Sequence, residues 1–117
     1  MRGQATVEMA LVLPLAALLV LLVVQAALVA RDQVHLTRAT SAAARAAMVD
    51  PTDATAREAV SDVGGGLNVR SVRVRGDRTP GALLTVIVVA SATRVPLVGM
   101  AVGSIRLREE LVVRVEG

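Results

Sequence analysis

The chain offers few groups with which to do chemistry. Its one histidine, His35, lies between Asp32 and Ser41, and together these are the residue types of a hydrolytic triad. On a helix Asp32 and His35 are one turn apart, whereas Ser41, six residues beyond His35, faces elsewhere and its hydroxyl is out of reach of the imidazole. The run Gly64-Gly65-Gly66 lacks the Gly-Lys-Ser/Thr end of a phosphate-binding loop, and the chain has no lysine. Glu109 and Glu110 are adjacent on a predicted strand, so they point to opposite faces and make no carboxylate dyad. With no cysteine there is no thiolate ligand, thiol nucleophile or disulfide. These residues predict no enzyme, with no catalytic, cofactor-binding or metal site, no cofactor and no small-molecule substrate.

A different chemistry is written at the N-terminus, where Arg2-Gly3-Gln4-Ala5-Thr6-Val7-Glu8 comes immediately before a long apolar run. Cleavage after Gly3 would make Gln4 a new amino terminus, with Glu8 as the fifth residue, one helical turn away. An isolated carboxylate at the edge of a bilayer, or inside a bundle of apolar helices, is costly unless it is paired. The N-terminal ammonium of a neighbouring chain is a suitable partner.

The element that positions these residues is the stretch Met9 to Ala30, whose 22 residues are all aliphatic or Met except Pro14 and Gln25. At 1.5 Å per residue it spans about 33 Å, enough for a hydrocarbon core of about 30 Å. Its eight Leu and five Val favour insertion by several kcal/mol, more than one Gln near the far end costs. Pro14 removes one intrahelical hydrogen bond and predicts a helix bend there. No Trp or Tyr marks an interface, so Glu8 on one side and Arg31 and Asp32 on the other set the depth.

The N-terminal segment resembles the type IV pilin-like signal, and within that group Arg2 to Leu15, with Gly3, the Ala5-Thr6-Val7-Glu8 run and Leu13-Pro14, is similar to the start of the TadE-like family of tight-adherence (Flp) pilus systems. The strong match covers roughly residues 2–30, and a weaker one includes Val95-Pro96-Leu97-Val98-Gly99 and the final strand with Arg108-Glu109-Glu110. The resemblance implies cleavage by a prepilin peptidase after Gly3, with Gln4 and Gly3 as the processing residues and Glu8 as the assembly residue. It implies as partners the membrane, the peptidase, other pilin-like subunits and the pilus assembly machinery. It also implies a cytoplasmic N-terminus and a C-terminal domain outside the cell membrane. Arginine count alone, with Arg2 before the helix and Arg31, Arg38 and Arg45 after it, favours the opposite orientation. The alternative function is an unprocessed, single-pass membrane-anchored binding or scaffold protein.

Without the membrane segment the remaining chain has nearly average composition for a soluble domain, apart from having no aromatic residue. That lack removes the stacking platforms of single-strand nucleic-acid binders, and the thirteen arginines form no run, so no nucleic-acid partner is predicted. From Arg31 to Met48 there is neither proline nor glycine, and the membrane helix continues outward with Leu36, Ala39, Ala43 and Ala47 on one face and Arg31, Val34, Arg38, Ser41 and Arg45 on another. Asp50-Pro51 stops it. Thr52 or Asp53 caps a short helix over Ala54 to Val63, which the three glycines end. Strands are predicted over Leu67 to Arg75, Ala82 to Val95 and Ser104 to Val115, with Pro96 and Gly99 interrupting the chain and the second strand, apolar on both faces, at the sheet's centre.

The expected architecture is α+β: a long N-terminal transmembrane helix running into an Ala-rich helix, packed on a small antiparallel sheet of about three strands. Its organisation reads as a basic leader at residues 1–3, a transmembrane helix at 4–30, an extracytoplasmic helical segment at 31–63 and a β domain at 64–117. Arg70, Arg73, Arg75, Arg106 and Arg108 are expected on the open face or edges of the sheet. A domain this small without large rings buries limited area and is expected to be marginal alone.

Overall fold

A computed structural model describes residues 2–63, 66–95, 100, 103 and 105–116. One helix, α1 (Arg2–Val49), has 48 residues and runs through Pro14 without a break. At 1.5 Å per residue it is about 72 Å long, most of the molecule's 79 Å longest dimension. Its last turn closes with Asp50 N–H on the Ala46 carbonyl at 2.9 Å, and Pro51 prevents a further one. Helix α2 (Asp53–Val63) starts on Thr52, whose Oγ1 accepts the Thr55 amide at 3.2 Å, so Thr52 is the cap. Asp53 instead ties α2 to the sheet by accepting the Val74 amide at 2.9 Å.

Three antiparallel strands follow, β1 (Asn68–Gly76), β2 (Leu83–Ser91) and β3 (Arg106–Arg114), with β2 in the middle as its two apolar faces predict. The register sets Val72 opposite Val88 and Val74 opposite Val86, and these residues are buried under the helices with Leu84 and Ala90. The hairpin joining β1 to β2 depends on Gly76, which has φ 119° and where a Cβ would sit 2.7 Å from the Leu83 carbonyl oxygen. Asp77 organises the turn by accepting the Thr79 amide at 3.0 Å.

The core joins both helices to the sheet. Leu36, Ala39, Ala43 and Ala47 from α1 are fully buried, beside Ala56 and Val60 from α2 and the valines of β1 and β2. Alanine on the helix lets its backbone lie close to the strands, which is how a core without rings fills its volume. At the far end Glu116 N–H donates to the Met48 carbonyl at 2.9 Å and closes the chain onto the helix.

On the other face of the sheet, alternation places Arg73 and Arg75 of β1 with Arg106, Arg108 and Arg114 of β3. Arg70 joins them, at the bulge between Val69 and Ser71, with its Nε donating to Ser91 Oγ at 2.6 Å. Ile87 points to this face yet is only 8% exposed. Its cross-strand neighbours Arg73 and Glu110 have aliphatic stems long enough to cover it while their charged ends stay in water.

Two details differ from the sequence pattern. The second strand ends at Ser91 and not at Val95, because after the Ala92 amide bonds the Ile105 carbonyl at 2.8 Å the backbone leaves the sheet for α1. The third begins at Arg106; Ser104, the interruptions at Pro96 and Gly99, and the first two glycines of Gly64-Gly65-Gly66 lie outside the described residues.

Candidate assembly and membrane-anchoring site

The sheet and α2 pack only against the C-terminal half of α1. From Arg2 to Val24 every residue is exposed apart from half-buried Leu21, and Leu11 reaches 72% exposure. This part of the helix is long and apolar enough to cross a membrane. Exposed leucine and valine on every face cannot be left to water, so this half of the rod requires lipid or other apolar helices around it.

Gly3, Gln4 and Glu8 stand at the free tip of that rod. A Cβ built on Gly3 meets nothing within 4 Å, so the glycine answers no packing demand inside this chain. Gln4 and Glu8 are one turn apart and both exposed. Thr6 Oγ1 donates to the Arg2 carbonyl one turn back at 3.0 Å, which keeps its hydroxyl paired along the helix. The arrangement presents a carboxylate, a small residue and a turn of accessible backbone at the end of an apolar cylinder.

At the other end of the bare segment is a polar clasp. Gln25 is 6% exposed. Its Nε2 donates to the Thr93 carbonyl at 2.8 Å, and its Oε1 accepts the Val95 amide at 2.7 Å. Seven residues on, two turns along the same face, Asp32 Oδ2 accepts the Thr93 amide at 2.6 Å. Gln33 Nε2 donates to Glu109 Oε2 at 3.0 Å and fixes β3 to the same stretch of helix. The segment after β2, which has left the ladder, thus gives its backbone groups to side chains of α1. No buried side-chain nitrogen or oxygen among the described residues lacks a partner.

Burial alone would raise the Asp32 carboxyl. The Thr93 amide and side chain, with the Arg31 guanidinium 3.5 Å away, outweigh it and hold the group below the ordinary aspartate value. A carboxylate whose pKa is depressed by folding stabilises the fold above its unfolded pKa, and that contribution is lost as pH falls through the lower, folded value. Below about pH 4, full-length protein in detergent is therefore expected to lose thermal stability more steeply than Asp32→Asn, which keeps an acceptor for Thr93 without the charge. Parallel pH profiles of melting temperature for the two proteins would show that this carboxylate is not a linkage site.

The hydrolytic triad is not assembled. Asp32 is committed to Thr93 and Arg31, and no hydrogen bond joins His35 to Asp32 or Ser41 among the described residues. Sequence reasoning took Gln25 only as a cost of insertion and missed the clasp. The usable signal was a lone amide in an apolar run, spaced two turns from an aspartate.

No curated protein and no solved structure matches this chain. Residues 3–45, which span the bare segment and most of the packed half of α1, match the family model described as TadE-like protein.

Proposed function

We propose that the chain is a pilin-like structural or assembly component of a tight-adherence, type IV-like pilus or a related secretion system. In this reading a prepilin peptidase cuts after Gly3, the bare half of α1 sits first in the cell membrane, and it then packs among the helices of other subunits. The N-terminus is cytoplasmic and the α+β domain lies outside. The role is structural and not catalytic. The observation that carries this reading is the combination of a helix bare from Arg2 to Val24, with Gly3 and Glu8 at its tip, and a TadE-like match over the same residues. A helix that serves two apolar environments in succession needs no partner from its own chain.

The test is the intact mass of the protein extracted from membranes of its own cells. Loss of the residues through Gly3 is expected, and Gly3→Ala is expected to abolish that loss because a side chain there would stand between the peptidase and the peptide bond it must reach. A full-length mass in the wild-type protein overturns processing and leaves an unprocessed membrane-anchored scaffold as the function.

A further inference from the structure

We propose that the end of the domain nearest the bare helix is a headgroup-binding foot, built to rest on anionic phospholipids. This rests on the reading that the bare half of α1 is embedded in a bilayer.

The first argument is one of level. From Gln4 to Val24 the bare helix measures about 32 Å, the thickness of a hydrocarbon core, and a core of that extent takes in Glu8, one turn from Gln4. The clasp then holds Thr93 and Val95 directly against Gln25, so the segment following β2 lies beside the helix at the height where the apolar rod stops. Gln25 is shielded by those backbone groups and does not face lipid. In this arrangement the hydrocarbon boundary falls at Gln25, about two turns before the Arg31 and Asp32 flank expected from the sequence, and Thr93, Arg94 and Val95 lie in the headgroup layer. Met100, in the connection between β2 and β3, is 85% exposed.

The second argument is charge. Arg94 is exposed at this level. Arg106 pairs in register with Ser91, the last residue of β2, and Arg70 bonds the same serine. Arg31 follows Gln25 on α1 with its side chain 56% exposed. Two acids lie at this level and both are engaged, Asp32 by Thr93 and Arg31 and Glu109 by Gln33, so the four arginines still leave an excess of positive charge. The opposite end is mixed, with Asp50, Asp53, Asp77 and Glu116 offsetting its arginines, and Arg78 lying 4.0 Å from Asp53. Positive charge is thus concentrated at the end bordering the apolar rod. A ligand that meets guanidinium groups there must also border hydrocarbon, which describes a phospholipid headgroup better than a free polyanion. Guanidinium forks suit phosphate oxygens, and each arginine near an anionic surface is worth about fivefold in affinity.

Because the chain has no cysteine, single labels can be placed cleanly. Full-length Met100→Cys and Thr79→Cys, each carrying a fluorophore, are reconstituted into vesicles of phosphatidylcholine with phosphatidylglycerol, one of the two lipids brominated near the headgroup at equal mole fraction. The label at position 100 is expected to be quenched and that at 79, in the distal hairpin turn, is not. Brominated phosphatidylglycerol is expected to quench position 100 more than brominated phosphatidylcholine, and the difference should vanish in Arg94→Gln/Arg106→Gln and in high salt. Resistance to alkaline extraction is measured on the same vesicles. A chain that is extracted overturns the membrane reading itself. A chain that resists, but shows equal quenching at 100 and 79 or no preference for phosphatidylglycerol, overturns the foot and leaves the membrane reading standing.

Discussion

Leu84→Ala is expected to lower the stability of the domain by about 2–5 kcal/mol, the largest loss expected from one truncation among the described residues. Leu84 and Leu36 are the largest side chains that are fully buried. Replacing Leu36 puts alanine into a helix, where its propensity returns part of the loss. Leu84 lies on the central strand, between Gly76 and Val113, and there alanine also weakens the strand. A core of valine, alanine and two leucines has no ring that can shift to fill the void, so little of the cavity collapses. For a domain of this size the melting temperature should fall by about 10–30 °C. The measurement is thermal unfolding of the full-length protein in detergent, following the sheet component of the circular dichroism. The control is one residue away: Leu83 is 59% exposed on the other face, and Leu83→Ala should stay within about 0.5 kcal/mol of wild type. Equal shifts for the two variants would mean that the sheet does not present Leu84 to α1.

The same contrast explains which parts of the molecule were legible in the sequence. Helix faces and strand faces follow from local period, so the row Leu36, Ala39, Ala43 and Ala47, the stop at Asp50-Pro51, a cap at Thr52 or Asp53 and the central position of β2 can all be read from neighbouring residues. The clasp cannot. Gln25 and Val95 are 70 residues apart in sequence, and the groups that Gln25 and Asp32 recognise are backbone atoms, which carry no residue code. For the same reason the end of β2 was misplaced: Ala92-Thr93-Arg94-Val95 has the residue types of a strand, and only the amide and carboxylate waiting on α1 draw it out of the sheet. Gly3, Gln4 and Glu8 can be picked out as candidates because their signal lies in spacing and in the family resemblance. What the structure adds is that, among the described residues, no group of the folded domain packs on or bonds to them.

That absence of an internal use is what makes Glu8→Ala the second large effect. In the proposed assembly, cleavage places an ammonium on Gln4, and Glu8 sits about 6 Å along the axis from it, exposed and inside an apolar surface. When such helices bundle, each tip removes one positive and one negative group from water. Deleting one partner of a buried pair costs about 3–5 kcal/mol, or more than a hundredfold in the equilibrium that adds a subunit. Glu8→Ala should therefore be cleaved after Gly3 as efficiently as wild type while incorporation or pilus yield, measured on sheared surface fractions, drops to background. Glu8→Gln decides what the carboxylate does. It keeps the shape and a hydrogen-bond acceptor but removes the charge, so under ion pairing it fails as completely as the alanine variant. If Glu8 merely complements the N-terminal dipole of its own helix, an effect of about 0.3–1 kcal/mol, both variants assemble within a few fold of wild type and the pairing role is wrong. If Glu8→Ala instead escapes cleavage, the carboxylate belongs to recognition by the peptidase and not to the packing of the helices.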